Sequence, residues 1–341
     1  MRGVEPSINT RNTSMYAFNS NLLRLLRLVD SVPWPKPPRR RGRPYVYPFV
    51  VLLKCFVVMV WQRIDSNRGL HAFLTMDKPY PRVVCEACGL SQRMPSRRTL
   101  DRRLKAMPPM LKASIRIMAK ILCVHGLVDP LIMAMDSSLL AAKGPVWHKS
   151  SMERGEAPCP GIDTDARWGK SGTKGWVFGY KASLASSTMP IVAPLSADLT
   201  TANVPDNLVY PDLTEDLPGD IGFMATDTGC DDGDLRALSM ARGWVLVTPV
   251  KRCENTPPER LILADFYESE AGQAIYGLRG VTVEPLIGQI KDVFGLDPLP
   301  VRGFKRVSAL YLLCVLAYQL ALCLNHLESR PPRDIKHLLT T

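Results

Sequence analysis

Apolar positions change their spacing along this chain near residue 129. Before it they recur every three to four residues, the period of a helix with one buried face. Residues 22–32 show this with Arg24 and Arg27 on the other side, and residues 108–125 repeat it. Residues 47–74 read as one helix, apolar all round at first and amphipathic through Arg63 and Arg68. A further helix starts at Pro95-Ser96, where the Ser96 hydroxyl can cap the free N–H groups of a strongly basic first turn. After residue 129 the apolar residues come in short runs bounded by turn formers. Runs at 131–136, 176–186, 189–198, 221–227 and 244–250 predict strands, the second and third an antiparallel pair. Residues 203–210 and 231–240 predict helices, and 143–174 reads as loop. Residue 284 opens a helix that runs to 291, and 307–324 predicts a buried core helix. Three strands, a helix, then alternating strands and helices make a mixed α/β sheet flanked by helices, behind an all-helical N-terminal region. No internal repeat interrupts this order.

Charge follows the same division. Residues 1–130 hold 23 Lys and Arg against 7 Asp and Glu, and the rest of the chain 20 against 25, within a net charge of +11. Such segregation points to a polyanion-binding module joined to a second unit. The expected organisation is a basic helical region over 1–127, a second domain over 128–328 and a C-terminal tail over 329–341. Inside the first, residues 36–48 form an extended basic linker rich in proline. Its Arg41-Gly-Arg43-Pro matches short hooks that enter the minor groove of A·T-rich DNA, whose negative potential attracts arginine. The helix beginning at Ser96 presents Arg97, Arg98, Arg102 and Arg103, spaced for phosphate contact or major-groove entry. These features predict double-stranded DNA as the partner and no membrane. The 307–324 run carries Ser308 and Gln319 and reads as core, and residues 1–5 have no signal-peptide pattern. Nine scattered cysteines give no disulfide framework and predict a reducing, cytoplasmic setting close to the nucleoid. Cys85 and Cys88 have half the spacing of a zinc site without a second pair.

Three acidic residues carry the candidate chemistry. Asp136 ends one apolar run and Asp227 another, so both are expected at the tips of buried strands. Glu284 opens a helix that carries Lys291 two turns on, on the same face. In-line attack on a phosphodiester develops charge on the attacking and leaving oxygens. Two Mg²⁺ ions roughly 3.5–4 Å apart stabilise both. Mg²⁺ prefers oxygen ligands, so Asp136, Asp227 and Glu284 are a sufficient protein set, with Mn²⁺ as a substitute ion. Tyr276 and Arg279, three residues apart, can face DNA from the preceding turn.

These residues resemble the DDE transposases of bacterial insertion sequences, the cut-and-paste group with a Tyr-Arg-Glu-Lys signature. The matching stretches include Met135-Asp136-Ser137-Ser138, Asp163 through Lys170, Lys174 through Lys181, Thr201 through Asp206, Ala225 through Asp231, and Arg279 through Lys291. The resemblance implies an RNase H-like core, dependence on Mg²⁺, hydrolysis at the element's terminal inverted repeats, and transfer of the freed 3′-hydroxyl to target DNA. By matched position, Asp136, Asp227 and Glu284 would be the metal-binding triad, and Tyr276, Arg279 and Lys291 accessory DNA contacts. Lys170, Lys174 and Lys181 are further candidate contacts, and a homodimer on DNA is implied. The pattern departs in two places. Four residues separate Arg279 from Glu284 instead of three, and Pro285 follows Glu284, which fits a first helical turn. Glu284 lies 57 residues after Asp227, too close for a large β insertion. Two other readings stay open: a DNA-binding protein with an inactive transposase-derived core, and a plain Mg²⁺-dependent nuclease.

Overall fold

The computed structural model describes residues 19–36, 46–90, 93–172, 175–250, 252 and 257–340. The basic hook of Arg41 and Arg43, and Lys174, lie outside the described residues. In the N-terminal region, α1 (Ser20–Ser31) buries Leu22, Leu25, Leu26 and Val29, one helical stripe. Asn19 caps it, accepting from the Leu22 N–H at 2.7 Å. α2 (Phe49–Trp61) is buried nearly all round. The single helix expected over 47–74 is broken. Arg63 turns left-handed at φ 50°, and α3 (Asn67–Leu74) restarts on Ser66, whose hydroxyl accepts from the Gly69 N–H at 3.1 Å. A local cap outcompetes the continuing apolar pattern. α4 (Pro79–Cys88), α5 (Arg97–Lys105) and α6 (Pro108–Val124) complete the region. α5 starts on Ser96 as the sequence predicts, its hydroxyl accepting from the Thr99 N–H at 3.2 Å.

The sheet follows: β1 (Val128–Ala141), α7 (Lys149–Glu153), β2 (Arg167–Ser171), β3 (Gly175–Pro190), β4 (Pro194–Thr201), α8 (Asp206–Leu213), β5 (Phe223–Ala225), α9 (Gly233–Ala241) and β6 (Val245–Val247). Its order is β2-β3-β1-β5-β6, with β4 also paired to β3. β1, β3 and β4 are antiparallel neighbours, whereas β5 and β6 lie parallel to β1. This is the α/β class read from the sequence, a mixed RNase H-like sheet flanked by helices. The region expected as loop over 143–174 holds α7 and β2. β2 reads Arg-Trp-Gly-Lys-Ser, without alternation of its own, and forms by pairing with the edge of β3.

β1 also corrects an expectation. Asp136 is not at a strand tip, because β1 runs on to Ala141 against β3, pairing Asp136 with Leu184. What ends near Asp136 is its parallel neighbour: β1 and β5 pair through Ala134 and Ala225.

Five helices close the chain: α10 (Pro258–Glu268), α11 (Glu270–Val281), α12 (Val283–Phe294), α13 (Phe304–Leu327) and α14 (Ile335–Thr340). Residues 329–341, read from the sequence as a tail, contain α14, which receives bonds from Asn19 and Asn21 beside α1. α13 is long and apolar enough to span a bilayer, yet 94% of its apolar window is buried within the protein. α6, β4, α2 and α1 pack around it, and its Gln319 amide donates to the Ile115 and Pro194 carbonyls. Two aspartates end its exposed N–H groups. Asp163 accepts from Gly303 and Asp165 from Phe304, each at 2.9 Å. Arg306 on α13 grips Asp101 on α5 through two guanidinium nitrogens, at 2.7 and 3.1 Å. One apolar core therefore runs from the N-terminal helices through α13 into the sheet.

Candidate active site

The register of two parallel strands brings Asp136 and Asp227 together. Ala134 and Ala225 are paired, and each aspartate lies two residues further along its own chain. Side chains on a strand alternate, so a step of two keeps both on one side of the sheet. Beyond Ala225, Asp227 opens a single 3-10 turn (Thr228–Cys230), and its carboxylate accepts from the Gly229 N–H at 3.1 Å. The Thr248 hydroxyl donates to the Asp227 carbonyl at 2.6 Å, fixing that turn to the segment after β6.

The third carboxylate arrives on a helix that two packing faces orient. α11 lays Ile275 on Ala225 and Val247, which sets Arg279, one turn on, toward Asp136. The chain then breaks at the buried Thr282 (φ −120°, ψ −79°) and restarts as α12. Val283, Leu286, Ile287, Ile290, Val293 and Phe294 bury the core side of α12. Glu284 stands in its first turn, with Pro285 beside it where proline is tolerated. Glu284, Gly288 and Lys291 form the stripe that faces the site.

Arg279 sits between two of the acids. One guanidinium nitrogen is 3.2 Å from Asp136 and the other 3.0 Å from Glu284. The extra residue before Glu284 is absorbed by the break at Thr282, so Arg279 still reaches it. Behind Arg279 the Tyr276 ring lies 5.8 Å from the guanidinium carbon, and Tyr276 packs edge-on against Tyr267. Burial pushes the Asp136 carboxyl up to about 6, against the Arg279 cation and the Ser137 backbone bond, with the Glu284 and Asp227 charges adding to the rise. Asp227 is raised as well, first by burial and then by Asp206, while Arg279 opposes it.

Asp136, Asp227 and Glu284 line one cavity of about 430 Å³. Its other wall is basic: Lys170 on β2, Lys181 on β3 and Lys291 on α12. Lys291 reaches the Ser138 hydroxyl at 3.3 Å and Asp297 at 3.5 Å. Asp206, at the start of α8, is a fourth acid in the cavity that sequence reasoning did not single out. It accepts from the Ser137 hydroxyl at 2.9 Å and from Lys181 at 3.2 Å. A single acid opening a short helix carries no signal of its own; only its place in the stretch from Thr201 to Asp206 pointed toward it.

Among the described residues no three carboxylate, imidazole or thiol groups are drawn to metal-binding distance. The donor chemistry nevertheless suits a hard divalent cation, since all the acids present oxygen. A cationic group already stands between Asp136 and Glu284.

Away from the cavity, Leu100 and Leu104 bury one face of α5, leaving Arg97, Arg98 and Arg102 exposed and Arg103 half-buried. A mixed sheet that sets Asp136, inside β1, beside Asp227, just past the end of β5, is a scaffold that gathers acids on one side. Residues 128–320, more than half of the chain, match the family described as Transposase DDE domain, and the chain belongs to that family. Its function is that of a transposase, and the family generally uses divalent metal ions. Among solved structures, the piggyBac transposase synaptic complex with hairpin DNA is similar at 12% identity, with a TM-score of 0.41, over 96% of this chain and 80% of that one. No curated protein matches the chain.

Proposed function

We propose that this transposase hydrolyses phosphodiester bonds at the ends of its element and joins the freed 3′-hydroxyl to target DNA, with Asp136, Asp227 and Glu284 holding Mg²⁺ or Mn²⁺. The reading rests above all on one observation. Two carboxylates lie in register beyond Ala134 and Ala225, and a third is joined to the first through one guanidinium. When bound, the cations supply charge stabilisation at the attacking and leaving oxygens.

The chain's own residues do the rest. Asp136, half-buried and raised, must give up its proton before it can serve as a ligand. Arg279 balances the charges of Asp136 and Glu284, and were those acids to hold a cation, its guanidinium would be available to a DNA phosphate. Lys170, Lys181 and Lys291 present positive charge along the cavity wall to the same backbone. Asp206 orients Lys181 and the Ser137 hydroxyl beside Asp136. The exposed arginines of α5 hold the duplex at a distance from the chemistry. Two element ends must be joined in one event, so the acting form is a homodimer on DNA, in the cytoplasm with the nucleoid.

A supercoiled plasmid carrying the coding sequence with its native flanks tests this. Wild type with Mg²⁺ is expected to excise and integrate the flanked segment. Asp136→Ala, Asp227→Ala and Glu284→Ala are each expected to abolish cleavage and leave the gel shift nearly unchanged. Nicking without integration identifies a nuclease, and a gel shift alone an inactive core. Retained cutting by any of the three variants removes that residue from the site.

A further inference from the structure

The helix that carries Glu284 and Lys291 is held at its far end by an arginine from the N-terminal helices. α2 finishes in the double hydrogen bond that closes many helices. The Arg63 N–H donates to the Val60 carbonyl at 3.2 Å and the Ile64 N–H to the Met59 carbonyl at 2.8 Å. The residue at that corner must turn left-handed, and glycine is usual there because a side chain crowds the following carbonyl. This chain puts Arg63 at the corner, at φ 50°. Its side chain reaches α12, where Nε donates to the Val293 carbonyl at 3.0 Å and an Nη nitrogen to the Asp292 carbonyl at 3.1 Å. Both belong to the last turn of α12, whose carbonyls have no partner within the helix. The Lys291 carbonyl is already met by the Leu296 N–H at 2.9 Å, so Arg63 takes the next two. A cation at this end also opposes the negative pole of the helix.

We propose that Arg63 is a positioning residue for the transposition reaction, an inference that rests on the function proposed above. Clamped at its C-terminal end, α12 cannot slide along its axis. That fixes Glu284 opposite Asp136, and Lys291 within reach of Ser138. The clamp comes from the same helical region that carries the basic α5, itself tied to α13 through Asp101 and Arg306. The DNA-facing helix and the catalytic helix are thereby braced on one frame. Ending α2 would not by itself require arginine, since glycine does that with less strain. The guanidinium bonds to α12 account for the residue.

Arg63→Gly separates the two roles, because it relieves the corner and removes the clamp. Arg63→Lys keeps the strain and supplies one point cation in place of the fork. Three quantities are measured: the thermal midpoint, the gel-shift affinity for the native flanking DNA, and the Mg²⁺-dependent cleavage rate at saturating protein. Arg63→Gly is expected to match or exceed the wild-type midpoint and bind DNA equally. Its cleavage rate should fall by about tenfold or more, the scale of a small misplacement at a reacting centre. Arg63→Lys should recover part of that loss. Wild-type cleavage by Arg63→Gly overturns the proposal while leaving the transposase reading intact. A rate loss matched by weaker DNA binding, or by a lowered midpoint without rescue by lysine, overturns it too. A wild-type protein that does not cleave overturns the transposase reading first, and this role with it.

Discussion

Arg279 stands 3.2 Å from Asp136, and its second guanidinium nitrogen is 3.0 Å from Glu284. Two acids that would otherwise repel are thus held together by one fixed cation. A divalent cation that binds both must displace that guanidinium. Removing it has two effects of opposite sign. The Asp136 carboxyl, already near 6, rises further without its cation. Well above that pH, where the carboxylate is ionised regardless, the freed acids are expected to bind Mn²⁺ more tightly in the DNA-free protein. For Arg279→Ala we expect a gain of about tenfold, equivalent to ~1.4 kcal/mol, together with a loss of DNA cleavage. Electron paramagnetic resonance of free Mn²⁺ measures the first; weaker Mn²⁺ binding would mean that Arg279 supports the metal-loaded form.

Asp136 also makes stability depend on pH. Its folded-state value of about 6 lies above the ordinary 3.8. The folded protein therefore binds this proton more tightly than the unfolded chain does. The associated stability is present below about 3.8 and lost as the pH rises through about 6. Above about pH 6 the neutral isostere Asp136→Asn is expected to be more stable than wild type by on the order of 3 kcal/mol, seen as a higher thermal midpoint. Below about 3.8 the two proteins should unfold alike. Melting curves without divalent cations decide the matter, and a midpoint difference that does not change with pH would rule out this titration as its source.

The arginines of α5 should act on binding without acting on chemistry. Arg97, Arg98 and Arg102 are exposed along a helix whose leucines are buried. Replacing any one by alanine is expected to weaken DNA binding and shallow its log–log salt dependence by about one. The single-turnover cleavage rate at saturating protein should stay close to wild type. An unchanged salt slope would make that arginine a solvated surface group.

Gly179 guards the register on which Asp136 depends. It pairs with Ala141, and a Cβ there would lie 1.9 Å from the Leu140 carbonyl oxygen. No rotamer relieves a clash with backbone. Gly179→Ala should pry β3 from the end of β1, at a cost of about 2–4 kcal/mol in urea unfolding. Cleavage is expected to fall with it, whereas an unchanged urea midpoint would show that the strands part without penalty.

What could be read without coordinates was local. Ser96 announced its helix because a cap needs only its own next three residues. The stripe of Glu284 and Lys291 followed from helical spacing, and the apolar density of 307–324 identified a core helix. Asp136 and Asp227 stood out as acids closing apolar runs. β2 did not stand out, because its stability comes from the β3 edge it pairs with. The break at Arg63 was equally hidden, since the apolar pattern runs on through it.

The sequence alone determined which segment carries the positive charge and which side chains are candidates for the chemistry, because residue type and short-range spacing settle both. The tertiary structure decided how those residues meet. The pairing of Ala134 with Ala225 sets two aspartates side by side, and the turn at Thr282 brings Glu284 within reach of the Arg279 that also meets Asp136. Asp206 and Arg63 entered the picture only through partners 69 and 230 residues away. Contacts at such separations depend on strand register and helix packing, which sum many weak interactions across the whole core and leave no mark on the few residues that finally touch.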